Sequence, residues 1–174
     1  MTQRAHSLIV GLRRVERGLD GVIQPVVFVG MAALIGVITL QILSRVLFTA
    51  VEWTEELARF LLVWLTFLAG TLAFQRGRHI AVTFVVDALP VRLRQLARLL
   101  ATLVVVAFLI ALAMISVEYM QVQSFQKSAA MRVPMSYVYA VVPFCAVVMA
   151  WYALVDAVEL ILTGDTHEPR ETPL

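Results

Sequence analysis

Four stretches of this chain are long enough to cross a bilayer and carry no charge in their middles, which settles the solvent it folds in. The first runs from about Val22 to Phe48 and meets no charge before Arg45. The second, Leu57 to about Phe74, is charged only at Arg59 near its start. The third, Gln95 to Tyr119, has no charge between Arg98 and Glu118, and the fourth has none from Pro134 to Val155. A helix crosses the hydrocarbon with ~20 apolar residues at ~1.5 Å rise each. Backbone polar groups in lipid must be satisfied within the segment, so these runs predict helices. No alternating ten-residue pattern argues for a barrel. Composition agrees: 15% of residues are charged and mean hydropathy is +0.88, whereas a soluble domain has about 25% charged residues to coat its surface.

The expected fold is therefore all-α, an integral membrane domain over residues 22–162 with helices at about 22–48, 57–75, 95–119 and 134–162. A basic arm, 1–21, precedes it and a polar tail, 163–174, follows. The arm does not read as a cleaved signal, because the apolar run after it is too long and no small-x-small site closes it.

Arginine and lysine set the expected orientation. Arg4, Arg13, Arg14 and Arg17 lie in the arm, and Arg76, Arg78, Arg92, Arg94 and Arg98 lie around the middle connection. The other two connections hold only Arg45 with Arg59, and Lys127 with Arg132. This bias predicts N-in/C-in, with the middle connection in the cytoplasm. Residues 79–89 are apolar but too short to span. His79, Thr83 and Asp87 recur every four positions, which predicts a short interfacial helix stopped by Pro90. Arg92, Arg94 and Arg98 after it are placed for lipid headgroups, at ~1 kcal/mol each.

The most heavily charged stretch is "VEWTEELARF", 51–60. On a helix Glu52, Glu55, Glu56 and Arg59 share a face, while Trp53 points elsewhere at headgroup depth. Two readings stay open: an interfacial anchor, with Glu55 or Glu56 paired to Arg59 and Arg45 nearby, or a face that docks a partner.

Little else suggests chemistry. His6, His79 and His167 all lie outside the spans, where they cannot hold a haem between helices. His79 and Asp87, ~12 Å apart along a helix, cannot share a metal. No Ser–His or Cys–His pair assembles in the membrane, and the lone Cys145 lies in an apolar run as a small hydrophobe. Mid-depth ionisable groups, the usual mark of a translocation path, are absent; Gln41 reads as an interhelical hydrogen-bonding group and Pro143 as a kink. Asp156 and Glu159, three apart, are expected to pair with arginines of the middle connection. Ala32/Gly36 and Ala69/Ala73 are candidate close-packing pairs. The profile is that of a subunit, with no cofactor of its own and no nucleic-acid partner. The rival is a homo-oligomeric four-helix channel or exporter.

The order of "SRVLFTAVEWTEELARFLLVWLTFLAG" (44–70), "RGRHIAV" (76–82), "VDALP" (86–90) and "MRVPMSYVYAVVPF" (131–144) resembles the small membrane subunit of tripartite ATP-independent periplasmic (TRAP) transporters. The likeness spans roughly 22–162. Arg45 fits the arginine that ends that family's first helix; Trp53, Glu55, Glu56 and Arg59 fit its interfacial signature, Gly77, His79 and Ile80 its cytoplasmic turn, and Pro90 and Pro134 its two prolines. Thr83, where an aspartate is common, and "LAGT" depart from it. The resemblance implies a bacterial inner-membrane protein in a sodium-coupled symporter that imports carboxylates. Its implied partners are a large transport subunit, which holds the sodium and substrate sites, and a periplasmic substrate-binding protein. The small subunit is implied to be scaffold and docking surface.

Overall fold

The computed structural model describes residues 3–47, 51–77 and 91–163. The elements are α1 (Gln3–Leu47), α2 (Glu52–Gly77), α3 (Val91–Val122), a 3-10 turn (Gln123–Phe125), α4 (Met135–Tyr139) and α5 (Val141–Thr163). Among the described residues, four helical segments are long and apolar enough to cross a membrane: one each in α1, α2 and α3, and α4 together with α5. The helix boundaries differ from expectation at three places. The arm is itself helical, making α1 45 residues long, or ~68 Å at ~1.5 Å per residue. Its first turns therefore extend past a hydrocarbon core of ~30 Å. α2 begins at Glu52 and not near Leu57, so the charged stretch read on a helix supplies its opening turns, and α3 begins at Val91 and not near Gln95. The expected interfacial helix at 79–89 lies outside the described residues.

Pro25 sits inside α1 and removes one ladder hydrogen bond, a defect that membrane helices tolerate where neighbours re-satisfy the backbone. Pro134 caps α4, as its position predicts. Pro143 lies in the first turn of α5. It has no N–H to offer the Tyr139 carbonyl, which is why the helix is interrupted at Ala140 instead of kinked at mid-depth.

α5 is the hub. One of its faces, Val141, Cys145, Val148 and Tyr152, buries against Ile23 of α1 and Leu68 of α2. Another carries Ala146, Ala150, Ala153 and Ala157, all buried; there Ala150 and Ala153 pack with Val106 and Leu109 of α3. Apolar burial does not drive association in lipid, so close packing and polar contacts hold these helices together. Small side chains at this seam let the α3 side chains sit close against α5. α1 and α2 approach at Gly30, where a Cβ would lie 2.7 Å from Leu65 Cδ2. The close-packing pairs expected from sequence are not the ones used. Gly36 has nothing within 4 Å of such a Cβ, and Ala32, Ala69 and Ala73 are exposed.

Candidate partner interface

Antiparallel succession puts the start of α2 and the 126–135 connection at one end of the molecule, the hairpin end. The starts of α1 and α3 and the close of α5 lie at the other, the arm end.

At the hairpin end, Thr54 is fully buried and its Oγ1 donates to the Val51 carbonyl at 2.7 Å, rooting the first turn of α2. Around it Glu52, Trp53, Glu55 and Arg59 are exposed. Arg59 donates to the Glu55 carboxylate one turn back, as one of the two expected pairings. Both side chains are largely solvated, so the pair contributes about 0.3–0.5 kcal/mol. Arg45 is exposed and forms no ion pair with these acids among the described residues.

Glu56 does not belong with its acidic neighbours. Its carboxylate accepts the backbone N–H groups of Ala129 at 3.0 Å, Ala130 at 3.1 Å and Met131 at 2.7 Å. Successive N–H groups in a turn make a concave anion-binding nest, and here the anion is supplied by the protein itself. The turn is closed by Ser128 N–H to Val133 O at 2.9 Å and Met135 N–H to Gln126 O at 2.9 Å, with a bridge between Lys127 and Pro134. Val133 N–H also donates to Ser128 Oγ at 3.3 Å. Arg132 takes φ 55°, a left-handed conformation uncommon for a residue other than glycine. Beside this loop the Tyr119 and Tyr139 rings meet edge to face with centroids 5.1 Å apart, joining the end of α3 to α4. No local sequence signal announces the Glu56 contact, because its partners lie more than seventy positions away; only the run of small residues at the tip hints at a tight turn.

At the arm end, Asp20 of α1 accepts the Tyr152 hydroxyl at 2.8 Å and the Gln75 side-chain amide. Arg13 pairs with Glu159 at 2.5 Å. Glu159 thus meets the N-terminal helix, a partner the sequence reading did not anticipate: the helical extension of α1 places Arg13 beside it. Arg76 is exposed in the last turn of α2 and Arg98 is half-buried. Arg78, His79 and Asp87, and the side chains of Arg92 and Arg94, lie outside the described residues. Cys145 is buried in the apolar face of α5, and Gln41 is half-buried, with Ser44 Oγ donating to its backbone carbonyl. Between α1 and α2 is an open groove of about 210 Å³ lined by Val26, Gly30, Leu57, Phe60, Trp64 and Leu68 among others. Apart from the Trp64 indole N–H, its side chains are apolar and offer little to orient a polar solute.

This arrangement defines a multi-pass membrane protein whose charged side chains gather at its two ends, around an apolar middle. Residues 34–163 match the DctQ component of the tripartite ATP-independent periplasmic transporters, and the chain belongs to that family. The isethionate TRAP transporter permease protein DctMQ of Oleidesulfovibrio alaskensis is 30% identical over 142 residues, covering 76% of this chain and 22% of that protein. The sialic acid TRAP transporter permease protein SiaT of Haemophilus influenzae is 24% identical over 79% of this chain and 22% of its own length. The sialic acid TRAP transporter small permease protein SiaQ of Vibrio cholerae is 40% identical over 37% of this chain and 38% of its own. The aligned region is thus well under half of each of these relatives.

Proposed function

We propose that this chain is the small membrane subunit of a sodium-coupled TRAP transporter that imports a carboxylate-type solute across the bacterial inner membrane. In this reading it serves as a fixed scaffold for a larger transport subunit, which carries the sodium and substrate sites. The observation that carries the reading is the match to two TRAP permeases in which the counterpart of this chain is 22% of a much longer protein. Something as large as the remainder is needed beside it. The apolar middle of the bundle supports the same division of labour, since substrate and ion paths depend on ionisable or broken segments at mid-depth.

The hairpin end faces the periplasm and the arm end the cytoplasm, by the arginine bias. Arg45, Glu52, Trp53, Glu55 and Arg59 form the docking face, open to the large subunit or to a periplasmic substrate-binding protein. Arg92, Arg94 and Arg98 serve as contacts for headgroups of the inner leaflet, and Arg76, Arg78, His79 and Asp87 as the cytoplasmic interfacial turn and helix. The test is recovery of the tagged chain from native membranes in mild detergent. A large multispanning partner at near-equal amount is expected. Recovery of homo-oligomers alone, with transport by them in liposomes, would replace this reading with a channel or exporter.

A further inference from the structure

We propose that Glu56 is a positioning residue that presets the 126–135 connection, making Lys127 and Arg132 a rigid basic contact point for an acidic surface of the soluble substrate-binding protein. The inference rests on the subunit reading above.

Three features converge. First, the tip of the connection has no partner of its own for the N–H groups of Ala129, Ala130 and Met131; the Glu56 carboxylate takes all three. A loop in water does not need such a contact, because solvent satisfies its donors. Three donors gathered on one charged acceptor instead select a single backbone shape. Second, Arg132 is held at φ 55°. Left-handed backbone at a residue with a Cβ persists only where its surroundings over-determine it, and such positions concentrate where a shape is used. Third, the shape has a chemical outcome. Lys127 and Arg132 flank the tip, both are exposed, and neither joins an ion pair among the described residues.

The location selects the kind of partner. A turn with exposed backbone and two solvated cations cannot sit in hydrocarbon, so the tip is read from the aqueous side, and unpaired positive charge suits an acidic protein face. The nearby Glu55–Arg59 pair is already internally neutral and adds little to that field.

The experiment uses the complete transporter in nanodiscs of neutral lipid, with its purified substrate-binding protein as probe, titrated at several ionic strengths. Lys127→Glu with Arg132→Glu is expected to weaken binding at least tenfold at low salt and to flatten its salt dependence. Glu56→Gln is expected to weaken binding severalfold although both cations remain, because an amide offers one acceptor oxygen and turns donors toward the three N–H groups. Trypsin should cut after Lys127 and Arg132 faster in Glu56→Gln than in the native complex, and Glu56→Asp should recover part of both losses. Native binding and native cleavage in Glu56→Gln would overturn the positioning role. Faster cleavage with unchanged binding would reduce Glu56 to a structural clasp and overturn the contact point. If the native chain does not co-purify with a large subunit at all, the subunit reading itself fails, separately from these outcomes.

Discussion

The Tyr152 hydroxyl donates to the Asp20 carboxylate at 2.8 Å, and the same carboxylate accepts Gln75, so one acidic side chain of α1 ties α2 and α5 together. Tyr152 has no exposed surface. Tyr152→Phe keeps the ring packing and removes one of these links, leaving Asp20 a carboxylate short of a donor. A loss of about 1–3 kcal/mol is expected, read as a lower thermal midpoint in detergent. An unchanged midpoint would show that the link contributes nothing to the bundle.

Gly30 and Gly36 lie on the same helix in different surroundings. Adding a methyl at Gly30 pushes on Leu65 Cδ2 at 2.7 Å, and the end of a leucine can yield. Gly30→Ala is therefore expected to cost about 1 kcal/mol and Gly30→Leu appreciably more, toward the 1–3 kcal/mol of an overpacked core. Gly36→Ala meets open space and should be neutral or slightly stabilising. Parallel melts of the three variants decide this; equal effects at both glycines would contradict the packing described.

Breaking the Arg13–Glu159 pair should be asymmetric. The Arg13 side chain is 39% exposed and that of Glu159 10%, so Arg13→Ala strands a nearly buried carboxylate while Glu159→Gln leaves an arginine that can reach water. We expect Arg13→Ala to cost about 1–2 kcal/mol, allowing for screening by the solvent that reaches the pair, and Glu159→Gln less. Equal losses in unfolding measurements would argue against the burial difference.

Orientation is open to direct labelling. Cys145 is buried and supplies a low background. On the proposed topology Phe125→Cys, at a site 92% exposed, should react with an impermeant maleimide added on the non-cytoplasmic side. Gly18→Cys, at an exposed position of the α1 extension, should react only after permeabilisation. The reverse pattern would invert the proposed topology.

What the sequence made legible follows from where lipid constrains it. Uncharged runs locate the helices because a single mid-membrane charge is costly. The same logic fails at the ends, where water tolerates either helix or loop, and there the arm turned out to be helical. Residue-level pairing was harder. Glu55–Arg59 is an i,i+4 contact and could be read from spacing. The roles of Glu56, Asp20 and Glu159 depend on which helices become neighbours, which spacing does not encode. The small-residue seam was misplaced for a related reason. Alanine pairs recur throughout this chain, and only burial singles out Ala146, Ala150, Ala153 and Ala157 on α5.

That α5 is the hub also orders the molecule in time. A chain entering the membrane from its N-terminus presents α1 and α2 first, and these can pair through Gly30 and Leu65 while synthesis continues. α3 must wait: the alanine seam it packs on, and the tyrosine that locks Asp20, both arrive with the last of the described helices. Until then the nascent protein is a loose hairpin beside an unattached helix, exposed to membrane quality control. Lesions in α5 should therefore lower the amount of protein that survives biogenesis more than lesions of equal size in α1.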